Sequence, residues 1–484
     1  MKALVLIFII LIFTASVFGV NADSHAIKYQ INKPYCILNF METLRTKGYF
    51  GPTVYDFYKN SKFYEDEKLN DLIKLYKKVG MNYSYEFKGY PKYRYLAKGR
   101  STRDLFYMLS AKTESLAGFK QMTAGIIPYE QHQKLFEIFE AVEPIYDELI
   151  WNPYYEVAQK KLAALEDYSQ QIRLNEKLPL ILNFFQSSWP EDIPLIVSFS
   201  IAPGEKVKRI PPPQSNVIFC GLLTESEDYA SYVGKITHEF AHRAFAEKPL
   251  EAHQQIDKWF AESKSPHRFM VNFMFNEVLG GVVGHKINEE LIGPHEFSYG
   301  QSFMRNFDEA IYPLFESWFE NGKSLDSTFV QKSLEIYGKT FPNAHQEYEY
   351  LLQTYYLLTD VEDYPVHKLP QLIIKNVASP LMYEFGNPVM NDENMKNFME
   401  YDFTKLIVIT QKNEETFEYL KARVVELKQF NNLDFKSDFV LSLHDATGRA
   451  YIIMNLTSIE NFEAALKMLK ERKSFDSEGA VFII

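Results

Sequence analysis

A chain of 484 residues with 46% hydrophobic and 24% charged side chains has the apolar content of ordinary globular domains, two or three by length. Its net charge of −11 is spread without acidic blocks, and its nearest approach to a basic run, residues 206–209, is short, which argues against nucleic acid or an anionic membrane as partner. Two cysteines, Cys36 and Cys220, allow one bridge in an exported protein but make no disulfide scaffold, so the core must hold the fold.

In chain order, Met1-Lys2, the apolar run from Ala3 to Phe13 and the small-residue exit Val20-Asn21-Ala22 have the layout of a secretory signal peptide. Residues 1–22 are therefore expected to be removed after Ala22, leaving a secreted or periplasmic protein; an uncleaved anchor is the alternative, for which the run is barely long enough. No later segment is an uninterrupted apolar span of membrane length, so no stable membrane insertion is expected. Residues 23–175 read as a mostly helical region, dense in Tyr and Phe at helical spacing, as in 101–110 and 133–142. Residues 193–201 and 216–223 read as two strands separated by the Pro211-Pro212-Pro213 loop, which cannot join a ladder.

The second strand leads into residues 229–246, a predicted helix with Val233, Ile236, Phe240 and Ala244 on one side. It carries His238-Glu239-Phe240-Ala241-His242, an HExxH pattern. Histidines four residues apart on a helix lie about 40° apart around the axis and one turn apart along it, so both imidazoles can meet one ion. Glu239 falls between them, where a carboxylate can take a proton from water that the metal has acidified. Phe240 is about 200° from His238, giving the helix an apolar back and a metal-binding front. Thr224, Ser226 and Asp228 offer caps, and Pro249 ends the helix.

A catalytic zinc site keeps three protein ligands and one open position. The third ligand is expected to be Glu277, on a predicted long helix over 265–291. Gly280, Gly281 and Gly284 follow it on the same face, and glycine inside a helix costs about 1 kcal/mol against alanine, which close approach of another backbone would explain. Cys220 is a competing third ligand, although an apolar strand position reads as core.

HEFAH followed 34 residues after His242 by Asn276-Glu277 resembles the gluzincin clan of zinc metallopeptidases, over roughly residues 193–300. The gap is longer than in the clan's thermolysin-like and aminopeptidase groups. The resemblance implies that His238, His242 and Glu277 hold Zn2+, that Glu239 is the general base, and that an edge strand beside the HExxH helix pairs with an extended peptide or protein substrate. It also implies a Tyr or His that stabilises the oxyanion of the transition state. The catalytic choices are Tyr337 and His345, with His295, Tyr299, Tyr312 and Tyr348 as further candidates.

Residues 306–321, 324–337 and 344–358 read as helices of a lobe completing a catalytic region over 176–400. From residue 401 the pattern changes. A strand (405–410), a helix (414–427), a hairpin (438–443 and 449–456), a helix (459–472) and a last strand (480–484) form a βαββαβ order, the ferredoxin-like arrangement, over 401–484. The expected fold class is thus α+β, an α-rich zincin-like metallopeptidase core with a small sheet plus this C-terminal domain. The expected function is a secreted zinc-dependent peptidase, a hydrolase that cleaves peptide bonds through a metal-activated water with Glu239 as general base. The alternative is a non-catalytic binding or surface protein retaining a metallopeptidase-like fold.

Overall fold

A computed structural model describes residues 26–48, 51–85, 87, 90, 101–205, 215–294, 302–361, 368–377, 380–475 and 480–483. The expected signal peptide, the triple-proline loop, His295 and Tyr299 lie outside the described residues. The fold is α+β, rich in helix, with a three-stranded and a six-stranded sheet. No helix among the described residues is long and apolar enough to cross a membrane. The chain divides into two compact units, the described residues of Met1–His253, Leu279–Ser298 and Phe315–Leu325 in the first, and those of Gln254–Val278, Tyr299–Leu314 and Asp326–Ile484 in the second.

The first unit is built on strand β1 (Ile27–Ile31), helices α1 (Lys33–Arg45), α2 (Pro52–Lys59), α3 (Glu67–Tyr76), α4 (Thr102–Ala111), α5 (Leu116–Met122), α6 (Tyr129–Tyr146), α7 (Asn152–Gln171) and α8 (Leu178–Phe185), then strands β2 (Leu195–Ala202) and β3 (Val217–Leu223) and helix α9 (Tyr229–Ala246). The helical character expected of residues 23–175 is present, with Ser101 and Asp104 forming a reciprocal capping box at the start of α4. Strand β1 departs from that expectation. Its IKYQI sequence alternates apolar and polar residues and is only partly buried, a short strand signal submerged in a region whose wider spacing is helical.

All three strands are parallel, in the order β1-β2-β3. Every residue of β2 is buried, Ser198 and Ser200 included, so both faces of this central strand are covered. Among the described residues β3 is an edge of the sheet. Tyr232 of α9 closes the end of that edge: its hydroxyl accepts from the Leu223 amide (2.8 Å) and donates to the Gly221 carbonyl (3.2 Å). Two backbone groups that a paired substrate strand would use are therefore already taken. Cys36 on α1 and Cys220 on β3 are both buried free thiols.

Three helices run through both units: α10 (Leu250–Glu262), α11 (Arg268–Ile292) and α12 (Ser302–Glu320). The second unit continues with α13 (Ser327–Thr340), the short α14 (Tyr348–Leu351), β4 (Thr354–Thr359), α15 (Leu369–Asn376), β5 (Met382–Gly386), α16 (Asp392–Glu400), β6 (Thr404–Ile409), α17 (Asn413–Lys421), β7 (Phe439–His444), β8 (Ala450–Asn455), α18 (Phe462–Arg472) and β9 (Ala480–Ile483). The sheet order is β5-β4-β6-β8-β7-β9, with β5, β4, β6 and β8 parallel and β7 antiparallel to both neighbours.

Each element expected after residue 401 is present, but the arrangement differs in two respects from a free-standing ferredoxin-like domain. Two upstream strands, β4 and β5, extend the sheet beyond β6, and β9 pairs with β7 rather than beside the first strand of the βαββαβ run. Residues 344–358 are correspondingly helical only to Leu351, after which Thr354–Thr359 is a strand buried along its whole length. An apolar run buried on both faces has no period that separates strand from helix.

Candidate metal centre

Helix α9 covers residues 229–246 as expected, and of the three possible caps it uses Asp228, whose carboxylate accepts from the Ser231 amide. Val233, Ile236, Phe240 and Ala244 are fully buried, whereas His238 and Glu239 are half-buried and His242 is 1% exposed. Its apolar back thus turns the HExxH residues inward, with Glu239 Oε2 itself buried. The Nε2 atoms of His238 and His242 lie 3.0 Å apart. Two nitrogens each about 2.0–2.1 Å from one tetrahedral ion would stand about 3.3 Å apart, so the imidazoles already aim at a common point.

The glycines of α11 explain how a second helix reaches that point. A Cβ on Gly280 would stand 2.9 Å from His242 Cε1, 3.2 Å from His242 Nε2 and 3.3 Å from His238 Cε1. One turn on, a Cβ on Gly284 would meet the Gly234 carbonyl oxygen at 2.8 Å. Gly234 is in turn covered by Asn288, whose side-chain amide would lie 2.2 Å from a Cβ there. The contact is therefore glycine against glycine, flanked by the imidazoles, and its closeness accounts for interior glycines that local helix propensity opposes.

The boundary between the two units falls on α11 between Val278 and Leu279, while Leu279–Ile292 belongs with α9 in the first unit. Glu277 stands two residues before Leu279 on the same unbroken helix. His238, His242 and Glu277 offer ligand atoms all within 4.8 Å of one another, and they are the one such group of three among the described residues. Cys220 is not part of it; burial pushes its thiol up to about 12, the behaviour of a core cysteine rather than of a thiolate ligand.

A second carboxyl bears on whether a cation fits. Asp308 of α12 is fully buried, and neither of its oxygens has a hydrogen-bond partner among the described residues. Burial, reinforced by the Glu277 charge and then by Glu309, pushes it up to about 9. Two neighbouring carboxyls in a dry environment call for positive charge, and two imidazoles with a carboxylate are the donor set of catalytic zinc sites. The residues present fit that ion. Sequence reasoning passed over Asp308, although it interrupts the apolar stripe Met304, Phe307, Ile311 and Phe315, all buried.

Tyr337 and His345, the expected oxyanion donors, gather elsewhere. Their rings pack on His267, at centroid distances of 5.2 and 5.1 Å. His267 immediately precedes α11 and is ten residues from Glu277, about 15 Å along a helix axis. The structure thus brings the three expected ligand side chains together but groups Tyr337 and His345 in a separate cluster around His267. Tyr348 is buried against Ser442, with its hydroxyl 2.7 Å from the serine oxygen.

Comparison with known proteins found no matching family model, no matching curated protein and no matching solved structure.

Proposed function

We propose that this protein is a zinc-dependent peptidase with His238, His242 and Glu277 as metal ligands and Glu239 as general base, on the gluzincin plan. The observation that carries the reading is the convergence of the three ligand side chains within 4.8 Å across two helices whose contact is made of glycine. Zinc, when bound, supplies an acidified water and polarisation of the scissile carbonyl. Glu239, next to His238 and half-buried, takes the proton of the attacking water and passes it to the leaving amine. The closed end of the β3 edge at Tyr232 means that an extended substrate pairs farther back along that strand or displaces the tyrosine hydroxyl.

The test combines zinc analysis with peptide-cleavage assays on the wild type, Glu239→Gln and Glu277→Ala. The glutamine variant is expected to keep zinc and lose about 10²- to 10⁴-fold in turnover, while the alanine variant loses zinc. A wild-type protein that binds no zinc, or a Glu239→Gln variant as active as wild type, refutes the reading.

A further inference from the structure

The second unit holds a cavity of about 50 Å³ unconnected with the proposed peptidase chemistry. It lies where the start of α11 meets the N-terminal ends of β4, β6 and β8, with Thr354, Thr404 and Ala450 marking the three strands. Its polar lining includes His267, Tyr337, His345, His444, Arg449 and Asp402. A water needs roughly 10–15 Å³ of such space, so the cavity has room for about three to five oxygen-sized atoms.

Three lining groups are buried without hydrogen-bond partners among the described residues: Tyr337 Oη, His345 Nδ1 and Arg449 Nε. Such groups are rare in folded proteins, and three around one cavity point to an absent common partner. Tyr337 is fully buried, and Phe303, Phe307, Phe341 and His267 hold its ring at centroid distances of 5.0–6.1 Å, so its hydroxyl is fixed in direction. Arg449 is only partly occupied: Nη2 donates to Asp402 (2.7 Å) and Nη1 to the Met399 carbonyl (3.4 Å). The Asp402 charge is thereby matched.

What the cavity offers is mainly donors. Guanidinium has no acceptor, a tyrosine hydroxyl donates readily, and neutral imidazole presents one N–H at either nitrogen. Burial lowers His267, His345 and His444, which favours the neutral imidazole at each. The start of a 25-residue helix adds partial positive charge. A ligand of matching chemistry is small and rich in acceptors.

We propose that this cavity binds a small oxyanion, a carboxylate or phosphate group, held by Tyr337 Oη, His345 and Arg449 Nε at the start of α11. Full-length protein is titrated with inorganic phosphate and with acetate, and the histidine Cε1–H resonances, assigned from His267→Gln, His345→Gln and His444→Gln variants, are followed by NMR. One anion is expected to move all three saturably, and Tyr337→Phe, which keeps the packed ring, is expected to weaken binding about tenfold. A short peptide with a free C-terminus, compared with its amidated form, separates the sources. Competition by the free acid alone assigns a chain terminus, and binding of the inorganic anion or acetate without peptide competition assigns a free solute. Absence of saturable shifts with either anion overturns the proposal, as does unchanged binding in a Tyr337→Phe protein whose circular dichroism shows it folded.

Discussion

Replacing Gly280 by alanine separates the metal site from the stability of the fold. The added methyl carbon would stand 2.9 Å from His242 Cε1 and within 3.3 Å of two further imidazole atoms, against an ordinary carbon contact of about 3.5–4.0 Å. Relief requires the imidazoles to move by roughly half an ångström or α11 to lift away. Alanine meanwhile recovers about 1 kcal/mol of helix propensity, which offsets much of an overpacking cost of about 1–3 kcal/mol. The net change in stability of the metal-free protein is therefore expected to be destabilising by about 0–2 kcal/mol. Zinc affinity has no such compensation, because the displaced atoms belong to both histidine ligands. It is expected to fall at least tenfold, the lower end of what disturbing a ligand's surroundings costs. Competition against a chromophoric chelator measures the affinity, and urea unfolding in excess chelator measures the stability. Gly284→Ala is the control: its methyl would press on the backbone carbonyl of Gly234 at 2.8 Å, which cannot rotate aside, so it is expected to destabilise the metal-free fold more than Gly280→Ala does. A Gly280→Ala protein that binds zinc as tightly as the wild type would refute the assignment of this helix contact to the metal site.

Asp308→Asn keeps the shape of this buried, neutral carboxyl but removes its ability to ionise when a cation binds at Glu277, and zinc affinity is expected to fall about ten- to a hundredfold; isothermal titration of the zinc-free protein measures it. His267 has its titration lowered from the ordinary 6.5 to about 4 by burial and then by His345. The unfolded chain therefore binds the proton first, and the stability tied to this residue, about 3 kcal/mol, is complete above pH 6.5 and lost as pH falls to about 4. Chemical unfolding across that window should show a shallower pH dependence in His267→Gln than in the wild type. Fully buried Glu42 accepts from Arg45, Arg103 and, at 2.7 Å, the Tyr76 hydroxyl. Glu42→Gln leaves the largely covered Arg103 guanidinium without its counter-charge and is expected to cost about 3 kcal/mol, read from the urea midpoint.

Local chemistry made much of this protein legible from sequence. An HExxH pattern on a helix with an apolar back marks two candidate ligands and a candidate base, because four-residue spacing and a 3.6-residue turn are properties of one segment. Interior glycines after Glu277 likewise signal a close helix contact, since their local cost demands a compensating neighbour. The turn, hairpin and helix signals after residue 401 place elements for the same reason. Only the tertiary structure decided what depends on partners distant in the chain. It extended the last sheet with β4 and β5 and sent β9 to β7, a choice of neighbours that no single strand encodes. Through Gly234 and Gly284 it set the helix approach that brings Glu277, rather than Cys220, to the histidines. It also assembled Tyr337, His345 and Arg449 around one cavity. Burial, charge and orphaned hydrogen-bond groups arise from the space between segments, and that space exists only once the chain has packed.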